Sequence, residues 1–175
     1  MLLLDIGNTN ISLLYKQEIH TVPTNFLVYN PQEFLQTFPI KTIIFASVVP
    51  IASSILIEEA KKQNISTKEI SIEDIALPIT INNPRELGID RAINAYAAFK
   101  KFGSNAIIVD FGTALTFDIL HNGAYQGGMI YPGLAMAMHN LHTKTAKLPD
   151  VKVHEFQTGI GKNTIEAILF GACIG

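Results

Sequence analysis

The chain carries the same short phrase once in each half. Residues 2–11 read LLLDIGNTNI, and residues 107–116 read IIVDFGTALT. In both, an apolar run ends in an aspartate, Asp5 or Asp110, and a glycine two residues later opens a stretch of small polar side chains. A short continuous apolar run is typical of a buried strand, and glycine beside Asn or Thr is typical of a tight turn. The repeat therefore predicts two similar strand–turn–strand units and an internally duplicated fold.

Turns of this composition suit phosphate binding. Gly7 and Gly112 have no Cβ, so backbone N–H groups can approach anionic oxygens, and Asn8, Thr9 and Thr113 add short polar side chains. The carboxylates before the turns repel phosphate and would instead hold Mg²⁺ or another cation that bridges to it. Two such loops facing one another would clamp a nucleotide polyphosphate between similar halves. A plain strand-ending turn is the simpler interpretation, but two matching copies disfavour it.

A third stretch, NNPRELGIDR at residues 82–91, places a carboxylate at the start of a predicted helix. Asp90 in the first helical turn is stabilised by the helix dipole, which is one explanation for its presence. It also fits a general base that takes a proton from an attacking hydroxyl. Arg91 fits either a grip on a substrate carboxylate or phosphate, or a surface salt bridge.

Composition excludes several classes of protein. The 175 residues are 48% hydrophobic with a formal net charge of -2, which suits one large or two small domains and disfavours nucleic acid as the main partner. The uncharged, largely apolar stretch at residues 42–57 is shorter than the ~20 residues of a membrane span and contains Pro50. With one cysteine, Cys173, and no visible signal peptide, we expect a cytosolic protein.

The rest of the chain alternates strand and helix patterns. A loop at residues 75–86 with two prolines suggests a boundary, so we predict one half at residues 1–84 and a second at residues 85–175. We predict strands at residues 1–5, 10–15, 19–22, 41–49, 66–71, 105–110, 114–120 and 125–130, and helices at 31–38, 51–63, 89–102, 132–144 and 162–173.

Together these stretches resemble the type III pantothenate kinase family. DIGNTNI resembles the family's first phosphate motif, NNPRELGIDR its substrate and catalytic-base motif, and DFGTALTFD its second phosphate motif. FASVVP, GGMIYPG and TAKLP also match family stretches, in the same order, from residue 1 to about residue 171. The resemblance implies an α/β fold of duplicated ribonuclease H-like domains, with mixed sheets flanked by helices, as in actin-like ATPases and sugar kinases.

The resemblance also implies an activity: ATP-dependent phosphorylation of pantothenate to 4′-phosphopantothenate, the first step of coenzyme A biosynthesis, in a cytoplasmic homodimer. Asp90 would be the catalytic base, Asp110 would bind a monovalent cation (K⁺ or NH₄⁺), and Asp5 is the candidate for Mg²⁺. ATP and its phosphates would contact Asp5, Ile6, Gly7, Asn8, Thr9, Asn10, Ile11, Ser12, Gly112 and Thr113. Pantothenate would contact Gly88, Ile89, Asp90, Arg91 and Thr164 of GIGKNT.

Two departures from the family pattern qualify these expectations. Ile81 stands where the family usually has a tyrosine on the substrate side. The family also continues past FGACIG with a Gly-Gly strand near the adenosine and a final helix, so we expect a shortened second half with fewer adenine contacts. Two alternatives share the fold: a non-catalytic accessory or regulatory protein, and a related kinase for another small molecule.

Overall fold

The computed structural model describes residues 1–152 and 158–174. The chain divides into two compact units, Met1–Ala106 with Ile119–Gly127, and Ile107–Asp118 with Gly128–Gly175. The predicted halves at residues 1–84 and 85–175 refer to the duplication, and that division stays a prediction. Within the described residues, none of the helices combines the length and apolar composition that crossing a membrane requires.

The first unit is built on a five-stranded mixed sheet. Its strands, in chain order, are β1 (Leu2–Ile6), β2 (Asn10–Tyr15), β3 (Glu18–Pro23), β4 (Thr42–Ser47) and β5 (Ser66–Glu69). Their spatial order is β3-β2-β1-β4-β5, in which β1, β2 and β3 pair antiparallel and β1, β4 and β5 pair parallel. A three-stranded meander joined to two parallel strands is the sheet of the ribonuclease H-like fold, so the expected fold class is confirmed.

Three helices cover one face of this sheet. They are α1 (Thr24–Tyr29), α2 (Pro31–Gln36) and α3 (Pro50–Lys62). Alternate strand residues point toward these helices and are removed from water, which supplies the main apolar stabilisation of the unit. The core they form contains Leu2, Leu4, Ile6, Ile11, Leu13, Leu27, Phe34, Leu35, Ile43, Phe45, Ala52, Leu56 and Ala60.

A fourth helix, α4 (Ile89–Phe102), also belongs to the first unit and lies against β4. Its fully buried side chains include Ala92 and Ala95, whose small size permits close approach to the sheet. Gly103 ends the helix with φ +94, a left-handed backbone conformation that glycine adopts without strain.

A second sheet repeats the opening meander. It contains β6 (Ala106–Phe111), β7 (Ala114–His121) and β8 (Ala124–Pro132) in the order β6-β7-β8, followed by α5 (Leu134–Thr143) and α6 (Thr164–Ile174). In both meanders the second and third strands are joined by two residues of positive φ, which is the backbone of a tight hairpin turn. These residues are Lys16 and Gln17 in the first sheet, and Asn122 and Gly123 in the second.

Most predicted elements are confirmed, with two corrections. The sequence did not predict α1, because its six residues show no helical periodicity and lack the proline at the first helical position that marks α2, which is equally short. The helix predicted to open at Pro132 begins at Leu134 instead. Pro132 still belongs to β8, and Gly133 is extended with φ -61 and ψ 156.

Candidate functional site

The first predicted phosphate loop joins β1 to β2. Asp5 pairs with Ser12 across these strands, and both side chains are exposed on the sheet face opposite α1 to α3. The N–H of Gly7 donates to the carbonyl of Asn10 over 3.0 Å and closes the turn. A Cβ at Gly7 would lie 3.0 Å from that carbonyl oxygen, which favours glycine at this position.

The other predicted residues of this loop divide into two groups. Asn8, Thr9 and Asn10 are exposed at the turn, where their polar groups are accessible to a ligand. Ile6 and Ile11 are fully buried in the core. Their side chains therefore stabilise the strands that carry the loop, and a contact with ATP from either residue would have to come from its backbone.

The second predicted phosphate loop joins β6 to β7 and has the same closing bond. The N–H of Gly112 donates to the carbonyl of Ala114 over 3.0 Å. Asp110, Gly112 and Thr113 are all exposed. The N–H of Gly133, at the start of α5, donates to the carbonyl of Thr113 over 3.0 Å. The two loops belong to different units of the chain, and each has the local geometry that the repeated phrase predicts.

Asp90 is held at the N-terminus of α4. Its Oδ1 accepts a 2.8 Å hydrogen bond from the N–H of Arg91, and the carboxylate is half-buried. Gly88 makes room for it, because a Cβ at residue 88 would lie 2.5 Å from Oδ1. Gly88 is predicted to contact substrate, and it has a structural role as well. Without a Cβ, it lets the carboxylate of Asp90 lie over the start of the helix, where the helix dipole favours negative charge.

Asp5 and Asp90 line the same cavity. This cavity, of about 360 Å³, lies within the first unit, and its other lining residues include Leu3, Ser12 and Asn94. Most of its wall is apolar, so the carboxylates are the charged groups that it presents to a ligand. The structure thus brings together a residue from the first phosphate motif and the predicted catalytic base, which stand far apart in the sequence.

A second cavity, of about 600 Å³, is lined by Gly88 and Ile89 and shares Ile70 with the first. Polar and charged side chains contribute more to it, among them Glu73 and Arg85. The two cavities therefore adjoin along the segment that enters α4. Three of the five predicted substrate residues line these cavities, Gly88 and Ile89 the second and Asp90 the first. The other two, Arg91 and Thr164, are described by the structure but line neither cavity.

One wall of the second cavity is fixed by a short turn after β5. The N–H of Ser71 donates to Asp74 Oδ2 over 3.0 Å, and Lys68 Nζ lies 3.2 Å from Asp74 Oδ1. The Ser71 hydrogen bond, with the Lys68 ammonium, lowers the pKa of Asp74 below its ordinary value.

The loop that carries Ile81 is tied to β8. The N–H and Oγ1 of Thr80 both donate to the carbonyl of Tyr125, over 2.9 and 2.8 Å, and the N–H of Tyr125 donates to the carbonyl of Pro78. Tyr125 is buried. Ile81 is half-buried, and its Cγ2 would lie 3.6 Å from a Cβ at Gly127. Ile81 thus occupies a well-defined position although the loop has little regular secondary structure.

Thr164, the remaining predicted pantothenate contact, is exposed at the first position of α6. Asn163 caps this helix, because its Oδ1 accepts a hydrogen bond from the N–H of Glu166 over 2.9 Å. The Glu166 carboxylate in turn accepts from the N–H of Lys162 over 2.7 Å. The GIGKNT stretch therefore contains a helix cap, and its threonine hydroxyl stays a candidate substrate contact.

The carboxylate of Asp5, next to the first phosphate loop, fits a magnesium ion that is shared with a nucleotide. Within residues 1–152 and 158–174, no three His, Cys, Asp or Glu side chains cluster as a complete metal-binding group. Mg²⁺ in kinases is usually held by one or two carboxylates together with substrate phosphates, and does not need such a cluster. A single carboxylate at the end of β1, next to a phosphate-type turn, matches that requirement.

Sequence reasoning assigned no role to two residues that the structure singles out. Thr24, on the missed helix α1, is buried, and its Oγ1 donates to the carbonyl of Gly7 over 2.7 Å. Asp118, the last residue of the second phosphate motif, is also buried, and its Oδ2 lies 3.4 Å from Thr116 Oγ1. The sequence did contain a signal for Thr24, because a proline precedes the contacting residue in both halves. Pro23 and Pro132 each end a third strand, and the next residue, Thr24 or Gly133, donates its backbone N–H to a carbonyl of the loop.

Comparison with known proteins agrees with this geometry. The sequence model of the family described as type III pantothenate kinase matches residues 1–175. A type III pantothenate kinase of Persephonella marina is 41% identical over 140 residues, which cover 78% of this chain and 54% of that protein. One from a Sulfurihydrogenibium species is 35% identical and covers 98% of this chain and 75% of that protein. The chain thus spans about half of the first relative's length and three quarters of the second's.

Among solved structures, a conserved protein of Campylobacter jejuni described as a Baf family transcriptional activator matches with a TM-score of 0.62 at 27% identity. That match covers 98% of this chain and 73% of the other. The fold, the paired phosphate-type loops, the first-turn aspartate of α4 and the match over the whole length place the chain in one family: it belongs to the type III pantothenate kinases.

Proposed function

We propose that the chain phosphorylates pantothenate with ATP and forms 4′-phosphopantothenate, the first step of coenzyme A biosynthesis. The observation that carries this proposal is the first cavity, which presents Asp5 of the phosphate loop and Asp90 of α4 to the same space. Phosphoryl transfer requires a cation that neutralises charge on the phosphates, which a carboxylate can hold, and a base that orients the attacking hydroxyl. Membership of the family supports the choice of substrate.

The loops bind and orient the polyphosphate. In the first loop, Asn8 and Thr9 are exposed residues at the end of β1, and we assign the backbone N–H of Asn8 and the side chains of this turn to phosphate oxygens. Gly112 and Thr113 would do the same in the second loop. Positioning and charge neutralisation of this kind provide most of the rate enhancement in phosphoryl transfer.

Asp90 orients the pantothenate hydroxyl and accepts its proton. The N–H of Arg91 occupies Oδ1 of this carboxylate, and we assign Oδ2 to the substrate hydroxyl. Arg91 follows on the same helical turn, where its guanidinium can pair with the pantothenate carboxylate. Gly88, Ile89 and Thr164 complete the proposed substrate contacts, and the largely apolar wall of the cavity suits the hydrocarbon part of a small acid.

Asp5 would hold Mg²⁺, which neutralises charge on the transferred phosphoryl group when it is bound. Asp110, at the corresponding position of the second loop, is proposed to bind K⁺ or NH₄⁺. A homodimer and a cytoplasmic location complete the proposal, and the reducing environment of that compartment suits the free thiol of Cys173. The non-catalytic alternative is not favoured, because the curated relatives are named as kinases.

A coupled assay of ADP formation tests this function. Purified chain with ATP, Mg²⁺ and K⁺ is expected to form ADP only when pantothenate is added, and excess EDTA should abolish the signal until Mg²⁺ is restored. Sugars and other small hydroxy acids serve as the substrate controls. ADP formation that is independent of pantothenate, or that is faster with another acceptor, would refute the assignment.

A further inference from the structure

Thr24 contacts the first phosphate loop through two hydrogen bonds. It is the first residue of α1 and is 4% exposed. Its hydroxyl donates to the carbonyl of Gly7 over 2.7 Å, and its backbone N–H donates to the carbonyl of Thr9 over 2.9 Å. One buried residue outside the loop therefore holds the carbonyl groups at both ends of the segment Gly7–Asn8–Thr9.

The second loop has the backbone bond but lacks the hydroxyl bond. The N–H of Gly133 donates to the carbonyl of Thr113 over 3.0 Å, as the N–H of Thr24 does to Thr9. A glycine has no hydroxyl to offer, and a Cβ at residue 133 would collide with the carbonyl oxygens of Gly112 and Thr113. The side-chain bond of Thr24 is thus an addition specific to the first loop.

This added bond determines where one N–H group points. The carbonyl of Gly7 and the N–H of Asn8 belong to the same planar trans peptide, so they point in opposite directions. Because Thr24 Oγ1 fixes the carbonyl of Gly7 on the side of α1, the N–H of Asn8 is directed away from α1. A donor held in advance in this way loses less freedom when it binds a phosphate oxygen.

We propose that Thr24 is a positioning residue for the nucleotide: its hydroxyl fixes the Gly7–Asn8 peptide so that the N–H of Asn8 is available to phosphate. The expected effect of Thr24 on catalysis rests on the proposed function. Thr24 itself is buried behind the loop and acts through Asn8.

The test combines hydrogen exchange with kinetics in Thr24→Val, which removes the hydroxyl and keeps the shape of the side chain. The loss of one hydrogen bond of this kind changes an equilibrium constant by about fivefold to tenfold. We expect the Gly7 amide, whose hydrogen bond to the carbonyl of Asn10 closes the turn, to exchange faster by that factor and the KM for ATP to rise by a similar factor, while the KM for pantothenate stays unchanged. Thr24→Ser, which retains the hydroxyl, should restore both values.

Thr37→Val is the matched control. Thr37 also donates its hydroxyl to a backbone carbonyl, that of Glu33 over 3.0 Å, but at the exposed end of α2. If Thr24→Val cannot be purified in a folded form, Thr24→Ala takes its place with the same expected changes. The inference is overturned if the hydroxyl-free variant behaves like Thr37→Val in both measurements, or if Thr24→Ser fails to restore them. A wild-type chain without pantothenate-dependent activity would contradict the proposed function, and exchange of the Gly7 amide would still decide whether the Thr24 hydroxyl holds the loop.

Discussion

Asp90→Asn is expected to lower the turnover of ATP and pantothenate by about 10²- to 10⁴-fold, the usual contribution of a general base. The asparagine can keep its Oδ1 as an acceptor for the N–H of Arg91, so the start of α4 should be retained. What is lost is the ability to take a proton from the substrate hydroxyl. Steady-state kinetics with saturating pantothenate measures the loss, and a binding titration should give an unchanged dissociation constant for ATP.

The matched control is Asp150→Asn, at an exposed aspartate outside the regular elements. It makes the same chemical change and should leave turnover and melting temperature as in the wild type. Turnover in Asp90→Asn within a few fold of the wild type would remove Asp90 from the catalytic role. The carboxylate would then serve only to stabilise the start of α4.

Gly133→Ala is expected to disrupt the second phosphate loop. The new methyl carbon would overlap the backbone oxygen of Gly112 and lie 2.5 Å from that of Thr113, so backbone on both sides has to move. Overpacking of this kind lowers the free energy of unfolding by about 1–3 kcal/mol, and the hydrogen bond from residue 133 to Thr113 contributes about 1 kcal/mol more. Urea unfolding should show the loss, and the KM for ATP should rise at least about tenfold.

Gly171→Ala is the control for stability. Gly171 lies within α6, and a Cβ there has no atom within 4 Å. Alanine is favoured over glycine in a helix by about 0.5–1 kcal/mol, so this variant should be as stable as the wild type or slightly more stable. If Gly133→Ala unfolds at the same urea concentration as Gly171→Ala, residue 133 does not pack closely against the second loop and the prediction is wrong.

The sequence predicts strands and long helices well here because local patterns dominate in them. β1 and β4 are short apolar runs that are buried in the sheet, and α3 and α4 have the spacing of apolar residues that marks a helix with one buried face. Helix α1 depends on tertiary contacts instead. It has six residues, and the burial of Leu27 and the bonds of Thr24 to the first loop hold it in place.

The candidate site was predictable to the extent that it depends on motifs. The repeated phrase identified both loops, and the 82–91 stretch identified the aspartate at the start of α4. The supporting contacts could not be read from the sequence. The space that Gly88 leaves for Asp90 and the cavity shared by Asp5 and Asp90 exist only once distant segments pack together.

In the proposed function, the loops at Gly7 and Gly112 hold the phosphates of one ATP while Asp90 holds the pantothenate hydroxyl. A crystal structure of the protein with a non-hydrolysable ATP analogue, Mg²⁺ and pantothenate tests it most directly. We expect phosphate oxygens within hydrogen-bond distance of backbone N–H groups in both loops, and the hydroxyl beside Asp90 Oδ2. Phosphates bound away from either loop, or carboxylates of Asp5 and Asp110 on opposite outer surfaces, would contradict it.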